Sequence, residues 1–301
     1  MQEFSARDGL DLDLNKNQDR IFSGRKLKRL IVCRHHRVRY HRIWIGVAAL
    51  LWLSTGSALA YDVLEFDVAG VERSARVYPG EHADTTPAPL VFVFHGRGDN
   101  ERNFSRAIKL HDDWPEATVV YPRGLIRDDE AGMRGWWGSA SKDDVNHDLQ
   151  FVDLMLEKLP QRYSVDPARI YVAGFSNGGR FTFILLAQRP DTFAAFVPIG
   201  AVSPELAGAV RPRPVMYLFG RNEPRKYQTH WTETVVALVR LNGGTGEKRE
   251  WAPGFTEYLS ADGRAQTIIS LYDAGHVWPY KGNENIIRFF DAHRLMPDDS
   301  G

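Results

Sequence analysis

Apolar residues in this chain gather into short unbroken runs, separated by longer stretches in which they recur every three or four positions. Pro89–Phe94 (PLVFVF) is too short for a helix and rich in Val and Phe, the pattern of a strand buried on both faces. Ala117–Tyr121, Arg169–Ala173, Phe193–Ile199, Pro214–Phe219 and Gln266–Tyr272 are similar runs. Between them the spacing predicts helices over Asp148–Leu159, Asn177–Gln188, His230–Leu241 and Asn283–Leu295. Upstream, Tyr61–Ala69 and Val71–Tyr78 flank Gly70 and read as a hairpin. Strands alternating with helices predict an α/β fold, a mostly parallel central sheet with helices on both faces. No internal repeat or low-complexity linker interrupts residues 61–301, which read as a single domain.

The first 60 residues follow other rules. Eight basic residues between Arg25 and Arg42 precede the apolar run Ile43–Leu53, and small residues follow as far as Ala58-Leu59-Ala60. This is the order of a secretory signal peptide, behind a polar stretch over residues 1–24. The apolar run is short for a membrane span of roughly 20 residues. Residues 1–60 are therefore expected to be an N-terminal extension and signal peptide. Cleavage near Ala60 would leave a periplasmic or extracellular product without a stable membrane span.

Charge divides at the same place. The formal net charge is zero, but residues 1–60 hold 11 of the 38 Lys and Arg and only 5 of the 38 Asp and Glu. The remainder has 27 basic and 33 acidic groups, a net of −6, which argues against nucleic acid as a partner. The one cysteine, Cys33, lies in the leader, so the remainder has no disulfide framework and no cysteine-ligated metal site. Asp143, Asp144 and Asp148 lack the glycine turn and spacing of a calcium loop and read as a solvated helix start. No metal is expected, and nothing in the pattern sets an oligomeric state.

Candidate chemistry centres on Gly174-Phe175-Ser176-Asn177-Gly178-Gly179, which follows one predicted strand directly and opens a predicted helix. Gly-x-Ser-x-Gly in that setting puts a serine on a sharp turn above the sheet, at a helix N-terminus. A phosphate-cradling loop would need the Gly-x-x-x-x-Gly-Lys-Ser/Thr pattern, which is absent here. In this architecture the base follows the nucleophilic serine in chain order. His230 and His293 fall in predicted helices, whereas His276 follows the last predicted strand, at the sheet edge expected for Ser176. The orienting acid belongs on the loop Gly220-Arg221-Asn222-Glu223-Pro224, where Glu223 is the carboxylate; Asp273 and Asp191 are alternatives. Acyl transfer also needs preorganised N–H donors for the oxyanion. The amides of Asn177 and, in the turn His95-Gly96-Arg97-Gly98, of Arg97 fit that need, with His95 holding the turn. Trp278, beside the base, and Trp136 and Trp137 are candidates to line a substrate site, or alternatively to pack over the core beside it.

His95–Gly98, Arg162–Val172, Gly174–Gly179 and Gly275-His276-Val277-Trp278-Pro279 together resemble the secreted polyhydroxybutyrate depolymerase and feruloyl/acetylxylan esterase-like group of α/β-hydrolases. That resemblance covers roughly residues 71–290 and implies ester hydrolysis through an acyl-enzyme, without a cofactor. It maps the nucleophile to Ser176, the base to His276 and the oxyanion turn to Arg97. The family usually has Asp where this chain has Glu223, and often carries cysteines near the site. Only about a dozen residues, Ala201–Arg213, separate two of the predicted strands, too few for a helical lid, so bulky or polymeric esters are the expected substrates. A serine peptidase of the same fold and an inactive exported binding protein are the competing expectations.

Overall fold

The computed structural model describes residues 61–126, 132–136, 146–204, 206–263, 265–279 and 281–296, all within one compact unit, Gly56–Gly301. The leader and cleavage site expected over residues 1–60 lie outside them, as do Trp137, Asp143 and Asp144. In chain order the elements are β1 (Asp62–Val68), β2 (Val71–Tyr78), β3 (Ala88–Phe94), α1 (Glu101–Ile108), α2 (Leu110–Asp113) and β4 (Thr118–Pro122). A two-stranded ribbon follows, β5 (Leu125–Ile126) and β6 (Arg134–Gly135), then α3 (His147–Lys158), β7 (Val165–Phe175), α4 (Asn177–Gln188), β8 (Ala195–Ile199) and β9 (Val215–Gly220). The last are α5 (Gln228–Leu241), β10 (Gly244–Ala252), β11 (Phe255–Ser260), β12 (Thr267–Tyr272) and α6 (Asn283–Asp291).

Among the described residues ten strands form one sheet in the order β1-β2-β4-β3-β7-β8-β9-β12-β11-β10. The six central strands, β4 to β12 in that order, run parallel, and an antiparallel pair closes each edge. This is an α/β-hydrolase fold. Every residue of β3 is buried, and its side chains divide by alternation between the two faces. Leu90, Phe92 and Phe94 join the core under α3, α4 and α5, while Val91 and Val93 join the core under α1, α2 and α6. From β3 the chain moves outward to β4, and from β7 it moves the other way to β8. The sheet order therefore reverses between β3 and β7, and the crevice beyond their C-terminal ends is where such sheets place their ligands. Between β8 and β9 the described residues form only a short turn, Leu206–Gly208, and no inserted lid.

Two elements depart from the apolar pattern. β10 reads Gly-Thr-Gly-Glu-Lys-Arg-Glu-Trp-Ala; it lies at the sheet edge with residues 246–250 exposed, so no apolar run announces it. Its charges suit an edge that must not pair with another chain. α1 is short and mixed in composition, and it starts at Asn100, whose side chain accepts from the Arg102 and Asn103 amides at 3.0 Å each.

Asp148 corrects the expectation of a solvated helix start. Its side chain is 2% exposed and pairs at 2.7 Å with Arg73 of β2, itself fully buried and stacked over Phe151 at 4.3 Å. A buried pair whose partner is removed leaves an uncompensated charge. Asp148→Ala should therefore lower stability by about 3–5 kcal/mol, and the double variant Arg73→Met, Asp148→Leu should regain most of that loss. Urea denaturation checks both, and a loss in the single variant no larger than a surface substitution produces would refute the account.

A second prediction concerns acid. His111 is buried, stacked on Tyr78 with ring centroids 3.5 Å apart, and its Nδ1 lies 3.1 Å from the Tyr121 hydroxyl. Burial pushes its imidazole down from 6.5 to about 4, and burial also lowers His95 and His293. The unfolded chain takes up a proton on His111 near pH 6.5 and the folded protein does not until about 4. Stability is then complete above pH 6.5 and falls as the pH drops from 6.5 to about 4. The urea midpoint of His111→Gln should fall less between pH 7 and pH 5 than that of the parent protein, whereas equal falls would exclude His111 as a source.

Candidate active site

The site begins where β7 gives way to α4. Ser176 occupies that junction with φ 56° and ψ −115°, a conformation that costs a residue with a β-carbon some strain. Two backbone bonds hold it: its N–H donates to the Ile199 carbonyl of β8 at 2.8 Å, and its own carbonyl accepts from the Arg180 amide at 3.0 Å. The flanking glycines allow the tight approach. A β-carbon on Gly174 would strike the Gly178 carbonyl oxygen, and one on Gly178 would strike the Phe94 carbonyl oxygen of β3. One on Gly179 would lie 2.7 Å from the Ile199 carbonyl oxygen. The spacing read from the sequence is thus a packing requirement of strand, helix and two neighbouring strands.

His276 and Glu223 arrive on loops from adjacent parallel strands, β12 and β9. After β12 the Ala274 amide donates to Tyr272 and the Val277 amide to Gly275, both at 2.9 Å, and the Tyr272 hydroxyl donates to the Val277 carbonyl at 2.6 Å. The loop after β9 is laced to this one by the Arg221 amide to the Tyr272 carbonyl (2.8 Å) and the Asn222 amide to the Ala274 carbonyl (2.9 Å). Gly220 makes the approach possible, since a β-carbon there would strike the Gly275 carbonyl oxygen.

These loops bring three side chains into one line. His276 Nε2 lies 2.8 Å from Ser176 Oγ, and His276 Nδ1 lies 2.7 Å from Glu223 Oε1. The Glu223 side chain is 1% exposed and that of His276 is 43% exposed, so the carboxylate is shielded while the imidazole faces the cleft. An ionised carboxylate only accepts, so the Nδ1 proton belongs toward Glu223 and the Nε2 lone pair faces the serine hydroxyl. Phe175 packs on the imidazole with ring centroids 4.8 Å apart. Gly200 leaves room for both rings: a β-carbon there would lie 3.0 Å from Phe175 and 3.4 Å from His276.

The alternatives lie elsewhere. Asp191 pairs with Arg211 and Arg213, and Asp273 is exposed and is not the partner of His276. His230 is exposed on α5, and the His293 ring donates to the Phe289 carbonyl. His95 holds its turn: it is fully buried, its Nε2 accepts from the Gly124 amide at 3.0 Å, and its Nδ1 donates to the Gly96 carbonyl at 2.7 Å. Both bonds suit the neutral ring that burial favours. The turn presses on the serine, because a β-carbon on Gly96 would lie 3.4 Å from that of Ser176. Asn177 opens α4, where amides have no intrahelical acceptor. A cleft of about 580 Å³ lies over the serine, lined in part by Arg97, Asn177, Arg180, Phe219 and Tyr227.

Of the tryptophans within the described residues, Trp136 and Trp278 follow the packing alternative and not the substrate-lining one. Trp136 is fully buried, its indole N–H donating to the His95 carbonyl at 2.9 Å and its ring packed edge-on to Phe94 at 4.8 Å. Its backbone is clasped by the Asn177 side chain, which accepts from the Trp136 amide at 2.6 Å and donates to its carbonyl at 3.1 Å. It anchors the turn and does not line the cleft. Trp278 is half-buried, edge-on to Phe104 at 5.7 Å, with its N–H donated to Asn283 of α6 at 3.0 Å. It fastens the histidine loop to the helices below. The aromatic residues that do meet the cleft, Phe219 and Tyr227, were not singled out by the sequence pattern; both flank the acid loop.

The chain is similar to known proteins in sequence and in fold. Residues 135–207 match the model of the prolyl oligopeptidase family. The chain is 27% identical to a putative esterase, NocK, of Nocardia uniformis subsp. tsuyamanensis, over 71% of this chain and 73% of that protein. It is 30% identical to a bifunctional acetylxylan esterase/xylanase of Neocallimastix patriciarum, over 51% of this chain but only 22% of that protein. Among solved structures, an acetyl xylan esterase from Aspergillus awamori superposes with a TM-score of 0.59 at 15% identity, covering 76% of this chain and 98% of that one. The fold is that of the α/β-hydrolases, and the likenesses in sequence include proteins named as esterases.

Proposed function

We propose that the protein is a serine carboxylic ester hydrolase working through an acyl-enzyme, with Ser176 as nucleophile, His276 as base and Glu223 as orienting acid. The observation that carries this reading is the unbroken line from Ser176 Oγ through His276 to Glu223, at 2.8 and 2.7 Å. His276 Nε2 takes the hydroxyl proton as Oγ attacks the ester carbonyl. The Asn177 and Arg97 amides receive the oxyanion, and His276 returns the proton to the leaving alcohol. Water then repeats the sequence and frees the acid. Glu223 stabilises the imidazolium in both halves and needs no protonation itself. Bulky esters are the proposed substrates, a reading supported by the short connection between β8 and β9. Export of the body is proposed from the basic, apolar and small-residue order of residues 25–60.

A second reading, amide cleavage, is favoured by the match of residues 135–207 to a peptidase family, since both reactions use the same groups. Matched p-nitrophenyl ester and aminoacyl anilide substrates separate them: the ester reading expects turnover of the esters and little of the anilides.

Ser176→Ala should lower kcat by a factor on the order of 10⁶ with the unfolding midpoint unchanged. Glu223→Gln should lower it by about 10⁴, through loss of the correct tautomer. A fluorophosphonate probe should label the parent protein at Ser176, and a folded parent that stays unlabelled would overturn the proposal in favour of a binding protein.

A further inference from the structure

The cleft over Ser176 has an electrostatic sign that the hydrolytic groups do not account for. Arg180 lies one helical turn along α4 from Ser176, its amide donating to the Ser176 carbonyl, roughly 6 Å along the axis by the rise of an α-helix. It is exposed and lines the cleft, and among the described residues no carboxylate pairs with it. Arg97 also lines the cleft, but it is engaged by a partner of its own. Among the described residues the lining holds one carboxylate, Glu223, which is buried and engaged by His276 and so does not answer Arg180. The loop at this rim adds Arg221, Arg225 and Lys226, all exposed, against Asp273 on the histidine loop. The positive end of α4 adds to the same field. Yet residues 61–301 as a whole carry a net −6. A cationic pocket on an acidic body concentrates anions at one place.

We propose that Arg180 is a specificity-determining residue and that the preferred substrates are esters bearing a carboxylate a few bonds from the scissile carbonyl. The inference rests on the ester-hydrolase reading. A carboxylate so placed meets the planar guanidinium in a charge-assisted, two-point contact, which a neutral ester cannot make. The carboxylate can belong to the acyl part, as in the half-ester of a diacid, or to the alcohol part, as at the free end of a hydroxyacid ester. Both present the same group to Arg180, and the two arms of the test tell them apart.

The test compares kcat/KM within isosteric pairs. 4-Nitrophenyl hemisuccinate against 4-nitrophenyl 4-methylpentanoate probes the acyl side, and 3-acetoxypropanoate against 3-acetoxypropanamide probes the alcohol side. The parent protein should favour the anionic member of at least one pair. Arg180→Gln should cut that ratio about tenfold, about 1.4 kcal/mol of discrimination. Arg180→Glu should invert it, Arg180→Lys should restore part of it, and added salt should shrink the parent's ratio. Fluorophosphonate labelling of each variant, beside its unfolding midpoint, establishes that the site is intact. A parent ratio at or below one on both arms, or a ratio that Arg180→Gln leaves unchanged, would overturn the inference while ester hydrolysis stands. A parent protein that cleaves none of the four esters would overturn both.

Discussion

The site depends on one steric condition: the backbone at the end of β7 must pass within contact distance of α4, β3 and β8 at once. Ser176 turns at positive φ because α4 has to start immediately and lie down on the sheet, and Gly174, Gly178 and Gly179 are the positions where a β-carbon would meet carbonyl oxygens. With the helix seated there, the serine hydroxyl stands clear of the sheet and the first amides of α4 open toward the cleft. The neighbouring turn after β3 is pressed against the same point and is held from behind by His95, Gly124 and Trp136. One close approach thus orients both the alcohol and the backbone facing it.

The other half of the line is built by neighbouring strands. β9 and β12 are adjacent and parallel, so their C-terminal loops emerge side by side and are laced together by backbone bonds. Withdrawing a carboxylate from water is costly, by several kcal/mol. Glu223 is withdrawn almost completely, and its bond to His276 compensates part of that cost while fixing which nitrogen bears the proton. Gly200, Gly220 and Phe175 shape the space in which the imidazole sits. A rigid ring between a buried acid and a half-buried alcohol needs no rearrangement to pass a proton between the ring and the alcohol.

Much of this is legible in the chain. The runs that predict strands coincide with β3, β4, β7, β8, β9 and β12 to within a few residues, because central parallel strands are buried on both faces and must be continuously apolar. The helix over Asn177–Gln188 has the bounds its pattern implies. β10 and β11 escape the pattern since an edge pair faces water and carries charge. Asp148 reads as solvated from its acidic neighbours, yet Arg73, 75 positions earlier, draws it into the core. Trp136 and Trp278 read as open-loop aromatics, and both are consumed in packing.

What the sequence determined by itself is what short-range sterics decide: strand, turn and helix around Ser176, the order of the elements, and the loops that carry His276 and Glu223. Those follow from periodicity and from where glycine is needed, and both are local properties of the chain. Tertiary structure alone decided which side chains face the cleft and which are buried. Trp136 went to the core and Tyr227 and Arg180 to the cleft, Glu223 and not Asp273 met the histidine, and Asp148 found Arg73. Burial is set by whatever packs from distant parts of the chain, and no window of neighbouring residues contains that information.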